Sequence, residues 1–427
     1  MEHALVVFLF ILFLVIIISI VNEKVFKIPN DIALVLFAFV LSVIIKILSE
    51  TGLVDWSDTV VGNLQSFDFE GFLMDGILCF MLFAGASGVN FNRFVKNIKS
   101  ISLLALLTTV LSSFLYGGLF YLANLALGLG FSIWVCILLG CIVSPTDPIA
   151  ATSILKKAGL SKNVSTVIEG ESLFNDGTGV AAFVCIKNIV NDTSDLSFPV
   201  LMAKELLGAI AIALAISFVM FSLLKCTNNP MLHIFISMFD VMAAYIVCEH
   251  LGCSGVIASV VCGIYFSKAM AGKEEWRKAV DPKDWYEDFW HIADTLCNSI
   301  LFILIGVALL NMPNHKYLIP LILIAIIGNF IARFIGVFVS TLITGKHKIP
   351  NRYSPVEFTT LMTWSALKGG LSLALAISTE AFLPEDIFHV VLIITYVTMF
   401  FTIVIQGLTT KKIFAVVEKM KAKRIVE

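Results

Sequence analysis

The sequence predicts an all-α polytopic membrane protein, on three observations. Of 427 residues, 59% are hydrophobic and only 14% are charged, too little charge to wet a soluble surface of this size. Apolar runs of about 20 residues recur, the length a helix needs to cross the hydrocarbon core. Runs such as 8-FLFILFLVIIISI-20 and 318-LIPLILIAIIGNF-330 do not alternate, as the strands of a membrane barrel would. The mean hydropathy of +0.96 agrees. A net charge of −2 gives no basic field for nucleic acid.

Thirteen apolar segments can be placed: 4–21, 31–48, 71–90, 100–123, 131–157, 163–188, 199–224, 231–250, 254–271, 286–310, 317–343, 356–380 and 385–412. The first reads as a retained helix, because MEHAL has no basic residue and no small-residue cleavage site follows. Basic residues orient the rest. One set of loops holds Lys24 and Lys27, Arg93 to Lys99, Lys156 to Lys162, Lys225, Lys268 to Lys283, Lys346 to Arg352, and the tail from Lys411. The opposite loops hold Lys46, Lys187, Lys204 and Lys316, while Arg333 and Lys368 lie inside helices. The bias places the N-terminus outside and the C-terminus in the cytoplasm of a multi-pass cell-membrane protein. Acids such as Asp55, Asp58, Asp68 and Asp192 collect outside. The positive-inside rule leaves them there, and a cation-attracting mouth is the alternative reading. The longest inner loop, 272-GKEEWRKAVDPKDWYED-288, reads as an amphipathic connector, and the tail after Lys412 is short. Residues 1–427 therefore form a single transmembrane domain. The nine cysteines include no CxxC pair and read as small buried hydrophobes.

Two segments are interrupted. The fifth is broken by 144-SPTDP-148 and the twelfth by 368-KGG-370. They lie seven segments apart, so they run in opposite directions. Paired interrupted helices point to inverted repeats with a site at mid-membrane. In the fifth, two prolines remove backbone donors and free carbonyls near Ser144 to Thr146. Irregular backbone at this depth is tolerated where it lines a site. A plain kink would not need Asp147, which is placed to face a half-helix end.

The most polar cluster is 169-EGESLFNDGTG-179, inside the sixth segment. On a helix, Glu171 and Asn175 share one face, and Ser172 and Asp176 share the next. An ionised carboxylate at the bilayer centre costs at least about 2.5–3.5 kcal/mol on insertion scales. Burial favours the protonated form, and a bound cation favours the charged one. Asp176 can therefore hold a proton or a hard cation, but not both, and that competition is an exchange mechanism. Hard cations take oxygen ligands. Asp176, Ser172, Thr146 and a freed carbonyl are the candidates for Na+. Lys368 sits mid-span, too far from a helix end to snorkel, and serves as counter-charge to Glu171 or to the broken helix ends. Asp240, Asp294, Glu357 and Arg333 read as funnel residues or structural pairs, and His233 as interfacial.

These motifs resemble a known family. 146-TDP-148, 171-ESLFNDGTG-179 and 364-WSALKGGLSLALA-376, with 249-EHLGCSGVIA-258 and 298-NSILFILIGVAL-309, resemble the cation:proton antiporter-1 family of NhaP- and NHE-type sodium/proton exchangers. The resemblance runs the length of the chain. It implies thirteen helices in an NhaA/NhaP-like fold, a homodimer, and a core in which two discontinuous helices cross. That core falls at about 100–188 and 317–412, with interface helices at about 4–90 and 199–310. It makes Asp176 the ion-binding and proton-carrying acid, with Ser172 and the Thr146 carbonyl as further ligands. Asn175 is then held by Glu171 and Lys368. A single exchanging carboxylate fits electroneutral one-for-one exchange. Two departures stand out. The family usually has arginine where Lys368 stands, and some relatives carry an acid where Ala84 lies in 82-LFAGAS-87, a place Asp75 is positioned to fill.

The expectation is a secondary active antiporter, not an enzyme, exchanging Na+ for H+ without a cofactor. Lithium and potassium are further candidate ions, and a potassium-preferring antiporter is the nearest alternative. An uncoupled cation channel lacks a repeated filter motif here. A membrane aspartyl protease built on Asp147 and Asp176 lacks a flap-like loop.

Overall fold

Backbone groups in hydrocarbon must pair within their own segment, so an apolar chain of this kind has helix as its one open-ended solution. The computed structural model describes residues 2–51, 71–147, 161–193, 196–227, 229–271, 285–308, 315–345, 349 and 353–426, and no strand occurs among them. In chain order the helices are α1 Glu2–Val21, α2 Asn30–Glu50, α3 Leu78–Ser87, α4 Phe91–Leu127, α5 Ile133–Val143, α6 Lys162–Val190, α7 Phe198–Leu224 and α8 Pro230–His250. They continue with α9 Gly255–Ala271, α10 Trp285–Ala308, α11 Leu318–Thr344, α12 Pro355–Trp364, α13 Gly370–Ile377, α14 Glu385–Phe400 and α15 Gly407–Val426. A π-helical turn at Phe72–Ile77 leads into α3, and another at Phe401–Gln406 joins α14 to α15.

The sequence marks the starts of several helices. Asn90, Ser132, Ser161 and Asn229 each accept a backbone N–H in the first turn of the helix that follows. Pro199, Pro230 and Pro355 stand in first turns, where a missing N–H costs nothing. Ser354 and Glu357 form a reciprocal capping box on α12.

Among the described residues, seven helices are long and apolar enough to cross a membrane, and five apolar helical stretches are shorter. Helix α6 has the length, 29 residues, but carries the polar cluster. Polarity is distributed as lipid requires. Phe218, Leu207 and Ile319 face outward, while Thr108, Ser113, Asn175, Asp240 and Thr395 are buried. All nine cysteines are free, and only Cys226 is exposed.

Helix α4 packs against α5, α6 and α11, while α9 packs against α3, α7 and α8, and α2 lies along α10. The α4–α5 contact is close because Gly140 has no side chain: a Cβ there would stand 2.0 Å from the Ser113 carbonyl oxygen. Contacts between loop regions fall into two sets. Ser267 bonds the Val89 carbonyl and Arg424 bonds Glu357 at the ends read as cytoplasmic. At the opposite ends, the Ser254 amide bonds the Glu205 carbonyl, and Lys187 lies over the Phe382 ring.

Two boundaries differ from the sequence reading. Helix α4 begins at Phe91, so Arg93, Lys96 and Lys99 ride on helix, because Asn90 caps the chain well before its apolar part. The tail beyond Lys412 stays helical to Val426 and folds against α12. The connector over 272–284, the second half of the fifth segment with the residues after it, 148–160, and the Asp75 side chain lie outside the described residues.

Candidate functional site

Helix α5 stops at Val143 and α12 at Trp364, and the stretches 144–147 and 365–369 that follow are not helical. They meet. The Asp147 amide donates to the Leu367 carbonyl at 2.7 Å, so each unwound strand satisfies part of the other. Pro145 cannot donate a backbone bond, which opens one strand. Gly369 lets the other approach: a Cβ on it would lie 3.0 Å from the Asp147 Cβ and 3.1 Å from Oδ2. The Asp147 carboxylate therefore abuts the residue that precedes α13, where the first-turn amides carry partial positive charge.

Lys368 lies on the second strand and is 1% exposed. Its Nζ donates to the Ser144 carbonyl at 3.0 Å, at the end of α5 where carbonyls lose their helical partners. The Lys368 amide donates to Thr402 Oγ1 at 3.2 Å, which ties the break to the π turn between α14 and α15.

Helix α6 brings the polar cluster to the same place. Gly179 allows the closest approach, since a Cβ there would stand 2.4 Å from Pro145 Cγ. Asn175 is fully buried: its Oδ1 accepts the Thr146 amide at 3.1 Å, and its Nδ2 donates to Thr146 Oγ1 and to Glu171 Oε1. Thr146 Oγ1 and Ser172 Oγ are 3.1 Å apart. Glu171 is gripped from α11, where Arg333 Nη2 donates to both carboxylate oxygens at 2.9 and 3.0 Å. Arg333 is 3% exposed and Glu171 1%.

Asp176 and Asp147 both line a cavity with about 40 Å³ of room for water-sized groups. Pro145, Leu301 and Ser372 contribute to its wall, and Leu73, Leu78, Met81 and Leu82 close one side with apolar surface. Among the described residues, Asp176 accepts no hydrogen bond; its electrostatic neighbours are Asp147, Glu171 and Lys368. A buried carboxylate with no donor of its own is chemically free to take a proton or a cation.

All seven residues singled out in the sequence meet at this crossing. They divide into two layers. Asp176 and Asp147 face the cavity, whereas Thr146, Ser172, Asn175 and Glu171 form a hydrogen-bonded network with one another, and neither Thr146 nor Ser172 lines the cavity wall. One implied contact takes a different form. Lys368 bonds the Ser144 carbonyl rather than Asn175 or Glu171, because its strand crosses the end of α5; the partner of Glu171 is Arg333. The signal for Arg333 was present, an arginine in the middle of an apolar run, but its partner lies 162 residues away and spacing cannot reveal it. At the place of the family's third-segment acid, Ala84 is buried.

Residues 9–416 match the family described as sodium/hydrogen exchanger, transmembrane. The chain belongs to that family. It is 30% identical to the Na(+)/H(+) antiporter NhaP of Pseudomonas aeruginosa over 396 residues, 91% of each chain. It is 29% identical to the Na(+)/H(+) antiporter NhaH of Halobacillus aidingensis, over 91% of this chain and 92% of that one. The sodium proton antiporter MjNhaP1 from Methanocaldococcus jannaschii shares the fold, with a TM-score of 0.74 at 19% identity, covering 97% of this chain and 99% of that chain.

Proposed function

We propose that this sodium/hydrogen exchanger works one for one, with Na+ and H+ competing for Asp176 while the site alternates between the two sides of the membrane. The observation that carries the reading is the Asp176 carboxylate itself: it is buried on the cavity wall, accepts no hydrogen bond among the described residues, and has Asp147 and Glu171 as neighbouring acids. A single carboxylate of this kind is neutralised by one proton or by one monovalent cation. Both together would leave an uncompensated positive charge in a low-dielectric interior, which is costly. Competition and equal stoichiometry are both what one exchanging group would produce.

The roles divide along the two layers. Asp176 exchanges its occupant. Asp147 is set against the start of α13. Glu171 and Arg333 fix Asn175, which fixes the Thr146 strand by both its amide and its hydroxyl. Ser172 and Thr146 are neutral oxygens one step behind Asp176, able to reach the ion if their mutual hydrogen bond opens. Lys368 clamps the two broken segments at the Ser144 carbonyl.

The same reading takes in the wider architecture: thirteen spans related by inverted repeats, N-terminus outside, in a cell-membrane homodimer. The moving core is 100–188 and 317–412, and the fixed half is 4–90 and 199–310. The close packing of α4 on α5, α6 and α11, and of α9 on α3, α7 and α8, supports the division, with α6 meeting α7 and α9 where the two halves join.

The test is made on purified protein in sealed liposomes with an imposed pH gradient and a pH-sensitive dye. Sodium, lithium, potassium and choline are added in turn. Sodium should collapse the gradient in wild type and not in Asp176→Asn, which should remain folded. The initial rate should be indifferent to a voltage clamped with valinomycin and potassium. Normal exchange by Asp176→Asn would remove it as the carrier, and a strong voltage dependence would rule out equal stoichiometry.

A further inference from the structure

Ser372 was not among the residues the sequence singled out. It lies in the first turn of α13, on a different element from Asp176, and both line the same cavity. The side chain is 1% exposed, and its Oγ has no hydrogen-bond partner among the described residues. That is unusual for a helical serine, which ordinarily gives its proton to a carbonyl one turn back. Most other hydroxyls around the crossing are engaged, and Thr109 and Thr363, which also lack a partner, do not line the cavity. Ser144 donates to the Thr109 carbonyl, Ser365 to the Met362 carbonyl and Thr402 to the Met399 carbonyl, while Thr146 and Ser172 bond each other. Ser372 is the one hydroxyl on the described cavity wall.

A sodium ion entering this cavity must exchange water for protein oxygen. Asp176 supplies charge, but the Ser144 carbonyl is taken by Lys368 and the Thr146 and Ser172 hydroxyls by each other. An ion beside Asp176 is short of neutral oxygen ligands on the α6 side. A buried hydroxyl left without a partner is costly to keep, and hard cations seek such an oxygen. We infer that Ser372 is a ligand of the transported cation, its hydroxyl oxygen completing from α13 the coordination that Asp176 begins from α6. Binding then joins α6 to the second broken helix through the ion itself. A proton on Asp176 makes no such bridge, so Ser372 discriminates between the two substrates and among cations of different size.

The inference rests on the Asp176 reading, and the experiment separates the two. Wild type, Asp176→Asn, Ser372→Ala, Ser372→Thr and Ser372→Cys are reconstituted as the full chain. Initial exchange rates are measured against sodium and lithium concentration over a range of pH. Ser372→Ala should raise the apparent KM for sodium by roughly threefold to tenfold, the worth of one modest oxygen contact. The ratio of sodium to lithium KM should shift with it. Ser372→Thr, which keeps the hydroxyl, should restore both. Ser372→Cys keeps the size and should behave as the alanine variant does, which covers a failure of Ser372→Ala to fold. Sodium-dependent protection against thermal unfolding in detergent should fall in parallel. An unchanged KM and ion ratio in Ser372→Ala or Ser372→Cys overturns the inference while leaving Asp176 in place if Asp176→Asn is dead. A KM change fully accounted for by a shifted pH profile, with the ion ratio constant, also overturns it, because the hydroxyl would then serve the carboxylate. Active Asp176→Asn overturns both readings.

Discussion

Two glutamate–arginine pairs join distant parts of this chain at nearly the same distance. Glu171 and Arg333 meet at 2.9 Å between α6 and α11, and Glu357 and Arg424 meet at 3.0 Å between the start of α12 and the end of α15. Their surroundings differ. Both residues of the first pair are buried, at 1% and 3% exposure, whereas in the second only Glu357 is buried, at 5%, and Arg424 is 45% exposed. Distance alone would rank them as equals. Depth separates them, because losing a partner in the interior strands a charge, and losing one at the surface returns a charge to water. The deep pair stands beside Asp176, which has Glu171 among its electrostatic neighbours. The shallow pair fastens a chain end.

The largest expected effect comes from breaking the deep pair on one side. Arg333→Ala leaves Glu171 as an uncompensated buried carboxylate, and loss of about 3–5 kcal/mol is expected. A thermal unfolding series in detergent measures it. Replacing both partners with apolar residues, Glu171→Leu with Arg333→Met, should be less damaging to stability than Arg333→Ala alone, since no charge is stranded. Exchange should be lost in both variants, because Asn175 loses Glu171 or the order of that group. Wild-type stability in Arg333→Ala would break the comparison outright.

Lys368→Ala comes next. It removes a donor from the Ser144 carbonyl and should cost about 1–3 kcal/mol, less than Arg333→Ala, because the group left unsatisfied is a neutral carbonyl. Lys368→Arg should restore much of that stability and move the pH profile of exchange, since a guanidinium cannot give up its proton. A stable, fully active Lys368→Ala would show that the two broken segments do not need this clamp.

Much of this site was legible before any coordinates, and the reasons are local. Glu171 with Asn175 and Ser172 with Asp176 are four apart on one helix, so helical geometry alone fixes their grouping. The prolines of 144-SPTDP-148 and the glycines after Lys368 announce breaks by their backbone chemistry. What spacing could not give was the pairing across helices. Whether Lys368 or Arg333 meets Glu171 depends on where three helices cross. Ser372 left no signal at all, being a common residue in an apolar run whose importance lies in the partner it lacks. The helical tail went unread for a related reason. Its polar sequence ends the apolar pattern at Lys412, but a helix in water can continue when another helix receives its side chains.

That tail gives the smallest expected effect and the sharpest control. Arg424 is not alone in holding α15: Tyr353 donates its hydroxyl to Glu418, and Lys421 lies 3.9 Å from the Tyr353 ring centroid. Burial and the neighbouring Glu418 carboxylate push the Tyr353 phenol well above its ordinary range, so it remains a neutral donor at physiological pH. With these contacts in place, and with the Glu357 carboxylate still accepting the Ser354 amide, Arg424→Ala should lower the melting temperature far less than Arg333→Ala does. Glu357→Ala should cost more than Arg424→Ala although both break the same pair, because Glu357 also accepts the Ser354 amide in the capping box of α12. The difference between those two variants measures the cap. If Arg424→Ala instead unfolded as readily as Arg333→Ala, depth would not be the variable that separates the pairs. The tail would then have to be counted among the elements that hold the crossing of α5 with α12 and α13.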